Sequence, residues 1–337
     1  MKKGILTVLF GILSAACALA GERFYVATSG SDTNDGKSWA AAFADVQTAI
    51  DAAAAAATRA SPSEVWIAKG TYKHGSPLVM KNNVAIYGGF AGSETSLDAR
   101  SGGNKTIFAG EISYSVIKND YSQSNPLTRS AKLNSVTITS GETGIYNNYS
   151  SPEITECTVS GNAHDGIYNG YSTPAIVSCA IIGNGRCGIP NLSSSPDIIN
   201  CTISGNNYGG VINEPYSSPR ITNCTINGND SFGIGSNMSS SPRITNCIIW
   251  NNTKYSIYNL DAESRPIVNS CIVYGGYNDG VNIIASDPLL GKLGDYGGKV
   301  QTIPVLAKSP AIGAGIATSS TPATDARGIV RAAAPTI

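Results

Sequence analysis

The chain has 337 residues, 23 Lys plus Arg balanced by 23 Asp plus Glu, and charged residues make up only 14% of it. A zero net charge without a basic block excludes a nucleic-acid partner or an anionic membrane surface held by electrostatics. The apolar share of 42% is enough to build a core, so the abundant Gly, Ser, Thr and Asn belong to turns rather than to a disordered chain.

Lys2 and Lys3 precede an apolar run from Ile5 to Leu13, and Ala18-Leu19-Ala20 supplies small residues where a signal peptidase reads. Residues 1–20 are therefore expected to be a signal peptide. Nothing later is apolar for long enough to cross a bilayer. The mature chain is expected to have no transmembrane span and to be exported, extracellular or on the cell surface, with outer-membrane association among the possibilities. In the segment 40–58, Phe43, Val46, Ile50 and Ala54 recur at helical spacing, which predicts an amphipathic helix covering the open end of the fold. VWIA from Val65, VAIYGGF from Val84 and TIFAGE from Thr106 read as β-strands. The polar stretch 114–128 breaks the pattern and reads as an ejected loop.

Six related segments follow: SPEITECTVSGN from Ser151, TPAIVSCAIIGN from Thr173, SPDIINCTISGN from Ser195, SPRITNCTINGN from Ser218, SPRITNCIIWNN from Ser241 and RPIVNSCIVYGG from Arg265. Their cysteines, Cys157, Cys179, Cys201, Cys224, Cys247 and Cys271, recur every 22 to 24 residues. A second apolar column, Ile145, Ile167, Ile189, Val211, Ile234 and Ile257, runs between them, mostly preceded by Gly. A period near 22 leaves no room for helices and fits one coil of an all-β parallel β-helix, a single-stranded solenoid whose coils pair about 4.8 Å apart.

Cys224 and Ile226 share a face, and Ile221 joins them only if the chain bends near Thr222 and Asn223. Glu156, Ser178, Asn200, Asn223, Asn246 and Ser270 mark that bend, and Asn162, Asn184, Asn206, Asn229 and Asn252 form another polar column. Stacked Asn side chains suit turn backbone, so these columns read as structural. Val136 takes the cysteine position one coil earlier, which favours buried thiols over disulfides or metal there. Cys187 falls in a turn and outside any column. Outward positions change from Thr158, Thr202 and Thr225 to Ile248 with Trp250 and Ile272 with Tyr274, a patch that needs a cover. The repeats stop near Ala285, and residues 285–337 read as an irregular tail folding back over that patch, with Asp325 and Arg327 placed to lock a turn. The expected division is 1–20 signal peptide, 21–284 helix-capped solenoid and 285–337 closing tail.

These residues resemble the right-handed parallel β-helix superfamily of pectin-lyase-like proteins, and within it bacterial surface and secreted proteins. FYVATSGSDTNDGKSW, VWIAKGTY and IYGGFAGSET look like the amino-terminal coils of that group. SDPLLGKLGDYGG, SPAIGAG and TDARG look like the region called a choice-of-anchor Q domain, and the CTISGN coils resemble polymorphic outer-membrane protein repeats. The resemblance implies right-handed coils and a surface or secreted location.

Two sets of residues could carry function. Glu142, His164, Arg186 and Tyr208 fall in one column before the Gly-Ile motif, with Asp165 beside His164; a sugar lyase could use Arg186 against a uronate and His164 or Tyr208 as base. Tyr146 and Tyr168 follow inward isoleucines and so point outward on adjacent coils, and Tyr149 and Tyr171 repeat this at the next corner, a surface suited to sugar rings. No paired-Asp cluster for Ca²⁺ is present, nor the Gly-His-Gly and Asp-Asp motifs of pectin-cleaving hydrolases. The expectation is a non-catalytic structural or adhesion module contacting a polysaccharide or another cell, without cofactor or metal; the alternative is a polysaccharide lyase or glycoside hydrolase.

Overall fold

A computed structural model describes residues 21–318, 321–332 and 335–337; the expected signal peptide lies outside the described residues. The chain coils into a parallel β-helix whose turns contribute short strands to three sheets. The first sheet has ten strands, from Arg23–Val26 to Ile267–Asn269, the second nine, from Gly70–Lys73 to Ile272–Val273, and the third seven, from Ile117–Asp120 to Tyr255–Asn259. In the repeats the register is residue for residue: Ile198, Ile221 and Ile244 align in the first sheet, Ile203, Ile226 and Ile249 in the second, and Val211, Ile234 and Ile257 in the third.

The expected bend is a single left-handed residue between the first and second strands of each coil. Glu156, Ser178, Asn200, Asn223, Asn246 and Ser270 all have φ between 51° and 56°. Asn tolerates that conformation better than most residues, because its short amide can bond locally. The turn lets Ile221, Cys224 and Ile226 all point inward, at most 1% exposed. The six column cysteines are free and buried. Cys201 shows their role: its Sγ–H donates to the Ile199 carbonyl (3.2 Å), and its N–H donates to Cys224 Sγ (3.4 Å). The thiols thus fill space and satisfy backbone at a corner.

Two asparagine ladders do the same elsewhere. Asn162, Asn184, Asn206, Asn229 and Asn252 pass hydrogen bonds from each Nδ2 to the next Oδ1 at 2.9–3.0 Å. A second ladder, Asn119, Asn147, Asn169, Asn191 and Asn213, runs inside the third sheet with four bonds of 3.0 Å. Glycine before the third-sheet isoleucine is required by close approach: a Cβ on Gly166 would lie 2.6 Å from the Gly188 carbonyl oxygen.

Three expectations need correction. The helix is shorter than 40–58: it spans Val46–Ala56, because Asp45 accepts the Thr48 N–H as N-cap (2.8 Å) and Ala57 is extended. Its buried face is Val46, Ala49, Ile50 and Ala53, with Ala54 half-buried. The stretch 114–128 is not wholly a loop, since Ile117–Asp120 is the first strand of the third sheet, pairing Ile117 with Ile145 and Asn119 with Asn147. Cys187 lies in the strand Cys187–Leu192 opposite Gly209, buried; the expected turn gives way because glycine on the next coil leaves it room.

The tail covers the second sheet. Ile248, Trp250 and Ile272 pack with Ala311 and Ile337 in a small separate core, Trp250 against the still exposed Tyr274. Corner asparagines hold the tail backbone: Asn246 donates to the Ile316 carbonyl (2.8 Å) and accepts its N–H (2.9 Å), and Asn200 donates to Thr324 O (3.0 Å). Further along, Lys299 Nζ donates to the Arg100 carbonyl at 3.1 Å, so the tail reaches the early coils. Asp325 accepts bonds from the Arg327 side chain and backbone (both 2.9 Å), the expected lock.

Candidate functional site

The outward face of the third sheet carries tyrosines beside an open groove. Strand pairing places Tyr146 directly beside Tyr168. Their rings stack at 4.9 Å between centroids with 4° between planes, and both are half-buried. At the next corner Tyr149 and Tyr171 stack at 5.0 Å and 8°; both have left-handed backbone, φ 46° and 48°, which turns their side chains outward. Within each pair the rings spend a face on each other, so a ligand meets ring edges, hydroxyls and the end faces of the stack. Burial raises the Tyr168 phenol above its ordinary value; burial and then the Asp120 charge do the same for Tyr146, so both remain hydrogen-bond donors at neutral pH.

Beside Tyr146 and Tyr168 runs an open groove of about 460 Å³, lined also by Glu142, Thr143, His164, Asp165, Tyr114 and Lys118. The column aligned from sequence is real in the backbone: His164 N–H donates to Glu142 O (2.7 Å), Arg186 N–H to His164 O (2.8 Å), and Tyr208 N–H to Arg186 O (2.8 Å). Its side chains divide. His164 Nδ1 lies 3.4 Å from Glu142 Oε1, both exposed at the groove. Asp165 is buried and accepts the Cys187 N–H at 3.0 Å. Burial pushes its carboxyl above the ordinary aspartate pKa, against that hydrogen bond and the pull of Arg186. Arg186 turns to Asp165, 3.9 Å from Nη1 to Oδ2, and does not line the groove. Tyr208 also lies outside it, edge-on to Phe232 at 5.5 Å.

The groove also takes residues from the stretch expected to be a loop, among them Tyr114 and Lys118. One sign was present: IKND from Ile117 repeats the Ile and Asn of IYNN from Ile145. Lys118 Nζ sits 5.8 Å from the centroid of Tyr146 and 3.6 Å from Asp120, so the groove carries one cation with a carboxylate already beside it. A further aromatic cluster was also missed: Phe232 stacks on Tyr258 (5.2 Å), and Tyr255 on Tyr258 (4.5 Å). Among the described residues no cluster of three or more His, Cys, Asp or Glu could hold a metal ion. None of the described helices is long and apolar enough to cross a membrane.

Residues 143–290 match the family model described as right handed beta helix region. The chain is also similar in structure to pectate lyase Pel9A, at 17% identity and a TM-score of 0.54, over 91% of this chain and 95% of that one. Weaker likenesses are to the A-module of mannuronan C-5 epimerase AlgE6 from Azotobacter vinelandii (14% identity, TM-score 0.40, 71% and 84% of the two chains) and to a rhamnogalacturonan lyase (12%, 0.39, 79% and 85%). No curated protein matches the sequence. The family match and the Pel9A likeness establish the right-handed parallel β-helix fold.

Proposed function

We propose that this is an exported or surface-held β-helix module that contacts a polysaccharide through the third-sheet face, without catalysis of its own. The observation that carries the reading is the pair of stacked tyrosine couples on adjacent coils, Tyr146 with Tyr168 and Tyr149 with Tyr171, beside an open groove. Aromatic side chains combine apolar area with a hydroxyl, which matches the mixed surface of a sugar ring. Neighbouring coils repeat at about 4.8 Å, so an extended chain lying along the axis would meet equivalent groups at each step. Residues 285–337, which resemble a surface-anchoring region, would leave this face open while engaging the opposite flank.

A lyase or hydrolase reading rests on the contact between Glu142 and His164 and on the raised pKa of the buried Asp165. It requires a cation free to face the substrate, whereas Arg186 is turned to Asp165 and Lys118 has Asp120 beside it. The deciding experiment incubates the purified protein with polyuronates and neutral polysaccharides, following binding, unsaturated ends and reducing ends together. Binding without new ends, weakened in Tyr146→Ala and Tyr168→Ala, supports the adhesion reading. New ends that vanish in His164→Ala overturn it in favour of catalysis.

A further inference from the structure

A second cavity lies on the other flank, where the tail meets the second sheet. It has a volume of about 290 Å³, and its walls come from the coil corners, from the segment around Thr302 and from the end of the tail. Three corner asparagines stand in line there, and two clamp the tail: Asn200 by Thr324 O and Arg331 Nη2, Asn246 by both backbone groups of Ile316. The middle one, Asn223, makes no such clamp. It is 9% exposed, and neither Oδ1 nor Nδ2 has a hydrogen-bond partner. Thr302 Oγ1 and Arg331 Nε, on two other walls, are also buried without partners. Buried polar atoms are rarely left so, and three around one cavity point to an occupant.

The chemistry of the walls narrows what fits. Asn223 offers one acceptor and a donor, Thr302 a hydroxyl that can do either, and Arg331 a donor. A carboxylate or phosphate would face the Asn223 carbonyl oxygen and the Asp325 carboxylate, and a cation would face Arg327 and Arg331. Hydroxyl groups, which both donate and accept, suit every position. The volume sits at the low end for small-molecule sites, with room for one ring rather than a chain. We infer that this seam is a binding site for a single neutral polyol of monosaccharide size, held between Asn223, Thr302 and Arg331, and that its occupant joins the tail to the solenoid.

The site is independent of the tyrosine groove, and so is its test. The full mature chain is titrated with glucose, mannitol, acetate and a neutral tetrasaccharide, reading melting temperature and calorimetric binding. Asn223→Gly removes the amide while keeping a residue at ease at φ 53°, and Thr302→Val replaces the hydroxyl by a methyl of like shape. Glucose or mannitol should raise the melting temperature of the wild type, each variant should bind at least tenfold more weakly, and Tyr146→Ala should respond as wild type. Without ligand both variants should melt within about 3 °C of the wild type, since no protein hydrogen bond is lost. No response to either polyol, an equal response to acetate or to the tetrasaccharide, or undiminished binding in both variants would overturn the assignment. So would an unliganded loss in both variants with no polyol bound, which identifies ordered water as the sole occupant.

Discussion

The second and third sheets share the same interior and differ in what they show outward. Ile203, Ile226 and Ile249 line the core from one, and Val211, Ile234 and Ile257 align in the other. Outside, the second sheet runs from Thr158 through Thr202 and Thr225 to Ile248 and Ile272 and lies under the tail, with Thr202 only 4% exposed. The third sheet keeps its tyrosines on an open groove. The inward columns make the solenoid and are nearly interchangeable between coils. The outward columns decide which flank belongs to the chain itself and which can meet something else.

The comparison breaks most severely if the shared interior is damaged. Cys201→Asp would bury a charge between coils and should cost more than about 4 kcal/mol, abolishing the cooperative melt, whereas Cys201→Val should stay within about 1.5 kcal/mol of wild type. Equal melts for the two would place the column at the surface. Removing residues 286–337 should turn the covered flank into a bare one. Ile248, Trp250 and Ile272 then lose burial worth roughly 1.5–3 kcal/mol each, and a red shift of tryptophan fluorescence with aggregation should follow. On the open flank the order of effects reverses. Tyr146→Ala with Tyr168→Ala should cost only about 1–3 kcal/mol of stability, read by denaturant melts, while reducing glycan retention in affinity electrophoresis at least tenfold.

The smallest effect concerns acid. Burial pushes the Asp325 carboxyl upward, but hydrogen bonds from the Arg327 side chain and backbone hold it below the ordinary aspartate value. A depressed folded value means that its contribution is fully present above the unfolded value of about 3.9 and is lost as pH falls through the lower folded one. Acidification below about pH 4 should therefore loosen the tail lock in wild type, seen as increased quenching of Trp250, and Asp325→Asn should flatten that step while starting from a looser tail.

The repeat columns made most of the fold legible. Cys224 and Ile226 two apart, with Ile221 three before, require a bend, and Asn223 sits at the left-handed residue that makes it. The apolar pair Ile248 and Trp250 likewise announced a cover. What stayed hidden had no column to betray it. One divergent coil, IKND, lies before the cysteine column begins at Cys157, so its sequence carries little sign of the start of the third sheet or of the Lys118 wall of the groove. The path of the tail was equally obscure, because Asn200 and Asn246 reach backbone carbonyls, which every residue carries. The division of Glu142 and His164 from Arg186 and Tyr208 depends on side-chain direction rather than spacing.

The bond from Lys299 to the Arg100 carbonyl has a consequence for evolution. A solenoid can be lengthened or shortened by duplicating or deleting a whole coil, since each junction resembles the last. Here the tail is tied near both extremities, at Ile272 and at Arg100, and acts as a ruler laid along the flank. One coil added between Cys157 and Cys247 would carry Arg100 about 4.8 Å beyond the reach of Lys299. Coil number and tail length can therefore change only together.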